Sequence, residues 1–129
     1  MKFLEPKGWK PTRGYANGVM AEGKVIFVAG QIGWDERQEF LSDNLPDQVR
    51  QTLKNIAAIL KEGGAQPKHI ARMTWYVKDK REYLAASKEI GKAYREVMGE
   101  HYPAMSLVQV ADLVEDRAKV EIEATAVVR

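Results

Sequence analysis

The residues best suited to chemistry lie near the C-terminal end of the chain, on Val120–Val128 (VEIEATAVV). Val120, Ile122, Ala124, Ala126 and Val128 fall on one face of an alternating run; Glu121, Glu123, Thr125 and Val127 fall on the other. A period of two predicts a strand with one apolar face and one face that begins acidic. Glu121 is the sharper of the two carboxylates. At a seam between subunits it could orient or activate a water molecule as a general base. The competing reading is a strand face turned to solvent.

Other reactive groups are scarce. With no cysteine, thiol nucleophiles, disulfides and cysteine-ligated metals are excluded. The two histidines, His69 and His101, have no second histidine three or four residues away, so no metal is expected. No nucleophile-elbow, Walker or dinucleotide-binding glycine pattern occurs. Gly30-Gln31-Ile32-Gly33 looks like half of a glycine loop, but no helix starts directly after it, and a tight turn is the better reading. Trp34, next to it, either lines a pocket or packs at a strand end.

These groups must be positioned by regular elements. Residues 5–18, rich in Pro, Gly and Lys, read as an irregular arm. Val19–Ala21 and Lys24–Ala29 flank Glu22-Gly23 and predict a hairpin. Pro46–Glu62 repeats apolar residues at Val49, Leu53, Ile56, Ala57 and Leu60, an amphipathic helix that Gly63-Gly64 stops. Ile70–Val77 is a strand, Arg81–Met98 a second helix containing Gly91, and Met105–Val110 a strand ahead of Val120–Val128. The predicted class is α+β in β-β-α-β-α-β-β order, a mixed sheet with two helices on one face. The other face, with Glu121, Glu123, Tyr76, Trp75 and Val127, needs cover, which predicts a homo-oligomer.

The chain has 129 residues, and one domain over 1–129 is expected. Hydrophobic residues make up 45% and charged residues 29%, with a net charge of +2. That balance favours a folded protein and argues for neither nucleic acid nor membrane as partner. No apolar run has the length of a membrane span or a signal core, so a cytoplasmic protein is expected.

Taken together, VAGQIGWD (28–35), LKNIAAILKEGGA (53–65), ARMTWYVKD (71–79), HYPAMSLVQVADL (101–113) and KVEIEATAVV (119–128) resemble the reactive intermediate deaminase, or RidA/YjgF, family. The resemblance runs from about Arg13 to Val128. It implies a chorismate-mutase-like α+β fold. It also implies a homotrimer with a small-molecule substrate in clefts between subunits, and hydrolysis of imines or enamines such as 2-aminoacrylate with no cofactor. By residue, Tyr15 matches the family's cleft tyrosine and Glu121 its water-positioning glutamate. Gly30 and Gln31 match the Gly-Gln pair, preceded here by Ala29 where the family often has serine. Gly91 stands where the family has asparagine, Leu107 where it has cysteine, and Met105 where it has the arginine that grips the substrate carboxylate.

That last difference is physically large. A guanidinium makes two parallel charge-assisted hydrogen bonds to a carboxylate, whereas a thioether offers an apolar contact and leaves the carboxylate desolvated. The expectation is therefore a deaminase whose substrate is not the usual 2-aminoacrylate, held by Tyr15, Met105, Leu107 and Trp34, with Glu121 orienting water. Arg13, Arg72, Lys119 and His101 are the candidate substitute anchors. The rival is a non-catalytic small-molecule-binding homotrimer, in which loss of the arginine, asparagine, serine and cysteine equivalents marks an eroded site. RNA cleavage has no support from a basic stripe or a histidine pair.

Overall fold

The computed structural model describes residues 1–129. Its elements are β1 (Lys2–Leu4), β2 (Gly18–Met20), β3 (Lys24–Ile32), α1 (Leu45–Glu62), β4 (Ile70–Val77), α2 (Lys80–Ala85), α3 (Ser87–Met98), β5 (Ala104–Gln109) and β6 (Val120–Val128). A single 3-10 turn at Pro67–His69 leads into β4. The main sheet has the order β3-β6-β4-β5, antiparallel except for the parallel β4–β5 pair. This is the expected α+β class.

β6 sits between β3 and β4, and its alternation is obeyed residue by residue. Val120, Ile122, Ala124 and Ala126 are buried, whereas Glu121, Thr125 and Val127 are half-buried and Glu123 exposed. The buried face meets α1, whose Leu45, Val49, Leu53, Ile56 and Leu60 recur at helical spacing and are all within the core. Burying each such side chain is worth ~1.5–3 kcal/mol. Asn44 caps α1 by accepting from the Asp47 amide at 3.1 Å, Pro46 occupies the first turn, and Gly64 beyond the end takes φ +75°.

Three expectations are corrected. The predicted hairpin is absent: β2 pairs with β1, and β3 takes β6 as its partner. The turn at Gly23 (φ 144°) lies against the Val128 backbone, so the chain enters β3 already aligned with the last strand. The second helix is broken at Ala86 (φ −102°, ψ 13°) into α2 and α3, and Leu84 is solvent-exposed while Tyr83 packs toward the core. Trp75 needs no cover from another copy; it is 4% exposed, on the helix side of β4. The outer face does carry exposed Val25, Phe27 and Val108, with Phe27 79% exposed. No helix is long and apolar enough to cross a membrane.

Gln48 ties the loops around the sheet end to α1. Its Nε2 donates to Ser42 O (3.1 Å) and Arg117 O (2.9 Å), and its Oε1 accepts from Lys119 N (2.8 Å), at 1% exposure. Gly33 is packed on it so closely that a Cβ there would lie 2.6 Å from the Gln48 Cβ. Gln48→Leu keeps the volume but strands these backbone groups. It should lower unfolding free energy by about 2–4 kcal/mol, read as a reduced urea midpoint with an unchanged m-value.

Candidate functional site

Two clusters hold the candidate residues. The first lies at β3 and β6. The register of the two strands slips between Val28 and Gln31, so Ala29-Gly30 forms a bulge. Gln31 Nε2 donates to Ala29 O at 3.0 Å across it. Glu121 lays its carboxylate directly over Gly30; a Cβ at Gly30 would collide with Oε2. Glycine is required there because the side chain of the acid occupies the space of a methyl group. None of the protein's six ion pairs uses Glu121. Its neighbour Glu123 is engaged instead, accepting from Tyr76 Oη at 2.7 Å, an interaction that raises the Tyr76 phenol pKa. Asn55 of α1 fastens the strand end, donating to Ile32 O (3.0 Å) and Trp34 O (2.8 Å), with Gln51 donating to its Oδ1 at 2.8 Å.

The second cluster lines a cavity of about 890 Å³ between β5, α3 and the N-terminal arm. Met105 and Leu107 of β5 are opposite Met73 and Trp75 of β4, which puts them on the helix side of the sheet. Tyr15 and Gly91 lie in the same wall. The arm is held by Ala16, whose amide donates to Pro103 O at 3.0 Å, and by Glu5, which accepts from Asn17 N and Nδ2 at 2.8 and 2.7 Å. Tyr94 and Tyr102 stack with centroids 5.3 Å apart and planes 14° apart, and the Tyr94 hydroxyl donates to His101 O.

Within one protomer these clusters do not meet. Glu121 pairs with Tyr76 on the outer face, whereas Met105 and Leu107 face the helices. Trp34 is with the first cluster in sequence and packs on Phe40, 5.9 Å between centroids; it does not line the Met105 cavity. Among the candidate anchors, only Arg13 reaches that cavity. Arg72 lines a hollow with Phe27 and Glu123, Lys119 pairs with Glu82 at 3.0 Å, and His101 Nε2 bonds Ile70 O at 2.7 Å. His69 is also occupied, Nδ1 accepting from Gln66 N at 2.9 Å. No group of three or more His, Asp or Glu side chains is placed to hold a metal. Arg95, Tyr83, Tyr94 and Tyr102 in the cavity and Asn55 behind the bulge are additional to the residues expected from the sequence. For Asn55 a signal existed, a polar residue one step from the apolar stripe of α1.

The sequence matches the family described as Endoribonuclease L-PSP over residues 6–128. The chain belongs to that family, the RidA/YjgF proteins. A RutC family protein of Pyrococcus horikoshii is 36% identical over 118 residues, spanning 91% of this chain and 89% of that relative. The 2-iminobutanoate/2-iminopropanoate deaminase of Salmonella typhimurium is 34% identical over 118 residues, 89% of this chain and 88% of that enzyme. Among solved structures, a Rid family protein of unknown function from Yersinia pestis superposes with a TM-score of 0.86 at 26% identity, covering 98% of both chains. TdcF of Escherichia coli with bound serine superposes at 0.71 with 34% identity, covering 100% of both. Family members thus share this mixed sheet.

The tyrosines of the cavity carry a pH signature. Burial pushes the Tyr83 and Tyr94 phenols up, and for Tyr94 the neighbouring Tyr102 adds to it. Tyr102 is raised by desolvation and by its bond to Glu100. A phenol whose folded pKa exceeds its unfolded value of about 10 binds its proton longer in the native state. The stability it contributes is complete below that unfolded value and is lost as pH rises through the folded one. The urea midpoint should therefore fall from about pH 10 upward. Tyr94→Phe should weaken that alkaline fall while costing about 0.5–1.5 kcal/mol at neutral pH through its lost hydrogen bond.

Proposed function

We propose that the protein is a hydrolytic deaminase of a reactive imine or enamine, acting in small-molecule clefts between the copies of a homotrimer. Glu121 carries the reading: it is a carboxylate laid over a glycine bulge, outside every ion pair, at the position where the family has its water-positioning glutamate. The printed activity of the Salmonella relative is of the same class.

The separation of the two clusters supports the oligomer. β3 and β5 are the edges of the sheet, and beyond the Ala16–Ala104 bridge the outer side of β5 has no partner. Open edges invite pairing. Setting the β3 side of one copy against the β5 side of the next brings Glu121, Gly30 and Gln31 to the Met105 cavity. A repeated head-to-tail contact of this kind must close into a ring or grow without limit. Ring closure would also cover Phe27 and Val25 with other copies.

In the cleft, Glu121 accepts a proton as water adds to the C=N carbon. That proton passes to nitrogen to give the carbinolamine, and its hydroxyl proton then moves to nitrogen as ammonia leaves and the carbonyl forms. An enamine first takes a proton at carbon and gives one up from nitrogen to become the imine. The balance is imine plus water to carbonyl compound plus ammonia, and no other reactant is needed. The two histidines, both bonded to backbone groups, offer no paired acid and base for RNA cleavage.

Ammonia release should be measured from imines generated in situ by amino acid oxidation. Glu121→Gln should lose about 10²–10⁴-fold in rate with an unchanged unfolding midpoint. No release above background from any imine by the wild-type protein would instead favour the non-catalytic binding trimer.

The shared cleft has a separate signature. Glu121→Gln and Met105→Trp, each inactive alone, should regain about a quarter of wild-type activity when refolded together at equal amounts. That is the fraction of interfaces at which both halves are intact in a randomly mixed ring. A site built within one chain would regain nothing.

A further inference from the structure

The Met105 cavity has room for a molecule larger than a short 2-imino acid. Its volume of about 890 Å³ is in the range of pockets that hold drug-sized molecules. Its wall is aromatic, with Trp75, Tyr83, Tyr94 and Tyr102 all lining it, and no Asp or Glu lines it. Two arginines do, Arg13 and Arg95, both exposed and neither in an ion pair. The Arg95 side chain folds back one helical turn along α3, its Nη1 3.4 Å from where a Gly91 Cβ would be, and it neighbours the Tyr102 hydroxyl. Gly91 thus leaves room for a guanidinium at the cavity wall. Trp75 Nε1 is buried in the same wall with no acceptor.

We propose that this cavity binds a planar, apolar or aromatic monocarboxylate, its carboxylate held by Arg13 and Arg95 and its apolar body lying over Met105 and the tyrosines. The cations at this cavity come from the helix and the arm, and none from β5. A carboxylate anchored there is farther from β5, which leaves length for a larger side chain against the thioether. Only the naming of this ligand as a substrate rests on the imine-deaminase reading; the anion site does not.

The test is calorimetric titration of the wild-type protein with 3-phenylpropanoate, its neutral amide 3-phenylpropanamide, and propanoate. The aromatic acid should bind at least about tenfold tighter than either of the others, one factor for charge and one for the ring. Arg13→Gln/Arg95→Gln should remove the preference for acid over amide while circular dichroism and the oligomeric state stay as in wild type. Arg95→Lys, which keeps the charge near the helix C-terminus but not the two-pronged grip, should fall between them. Equal binding of acid and amide, no binding of the acid, or undiminished binding by the double variant overturns the proposal.

Ammonia release from the imines of alanine and phenylalanine separates the two claims. Preference for the phenylalanine imine, lost in the double variant, supports both. Turnover of both imines alike, with no arginine dependence in turnover or in binding of the aromatic acid, overturns the anion site and leaves the deaminase standing. Arginine-dependent binding with no turnover of either imine leaves the anion site standing and removes the deaminase.

Discussion

The structure depends on β6 being an interior strand. Its Val120, Ile122, Ala124 and Ala126 close the core against α1, and side chains alternate along a strand. Glu121 and Glu123 are therefore driven to the opposite face. That constraint separates the carboxylate from the cavity beside β5, because Met105 and Leu107 share the face of Met73 and Trp75. A shift of one residue in register would bury both acids in the apolar layer, a cost far beyond the stability of an ordinary domain. The placement of the two clusters on opposite faces is thus a consequence of the same alternation that builds the core.

The two clusters are supported differently. Glu121 rests on backbone: the bulge at Ala29-Gly30, the Gln31 bond across it, and Asn55 holding Ile32 and Trp34. The cavity rests on side chains: the Tyr94–Tyr102 stack, and an arm carrying Tyr15 and Arg13 that is held by Pro103 and Glu5. A bulge flanked by hydrogen bonds specifies the place of one group closely. A wall of rings and exposed arginine side chains is specified less closely. The two clusters therefore need not change together.

Much of the fold was readable because periodicity reports burial directly. β4 and β6 have the bounds that their patterns predict, and α1 begins one residue earlier. The hairpin before β3 was misread because a glycine turn between two short runs says nothing about which strand competes for the partner's edge. The break at Ala86 has no signal in alanine, a strong helix former. Glu121, Gly30, Met105 and Tyr15 could be singled out from the chain. Arg95 could not, because an arginine in the last turn of a helix is ordinary, and only the path of its side chain over Gly91 distinguishes it.

The sequence by itself determined the main helix α1 and the strands β4 and β6, the family, and the identity of the groups available: one prominent strand carboxylate, no thiol, and a methionine at 105. These are properties of local pattern and composition, which survive without knowledge of contacts. Tertiary structure decided the strand order β3-β6-β4-β5, the opposition of Glu121 and Met105 across the sheet, and the convergence of Arg13 and Arg95, 82 positions apart, on one cavity. Such meetings are set by how helices and an arm pack on a sheet, and no short-range pattern in the chain encodes them.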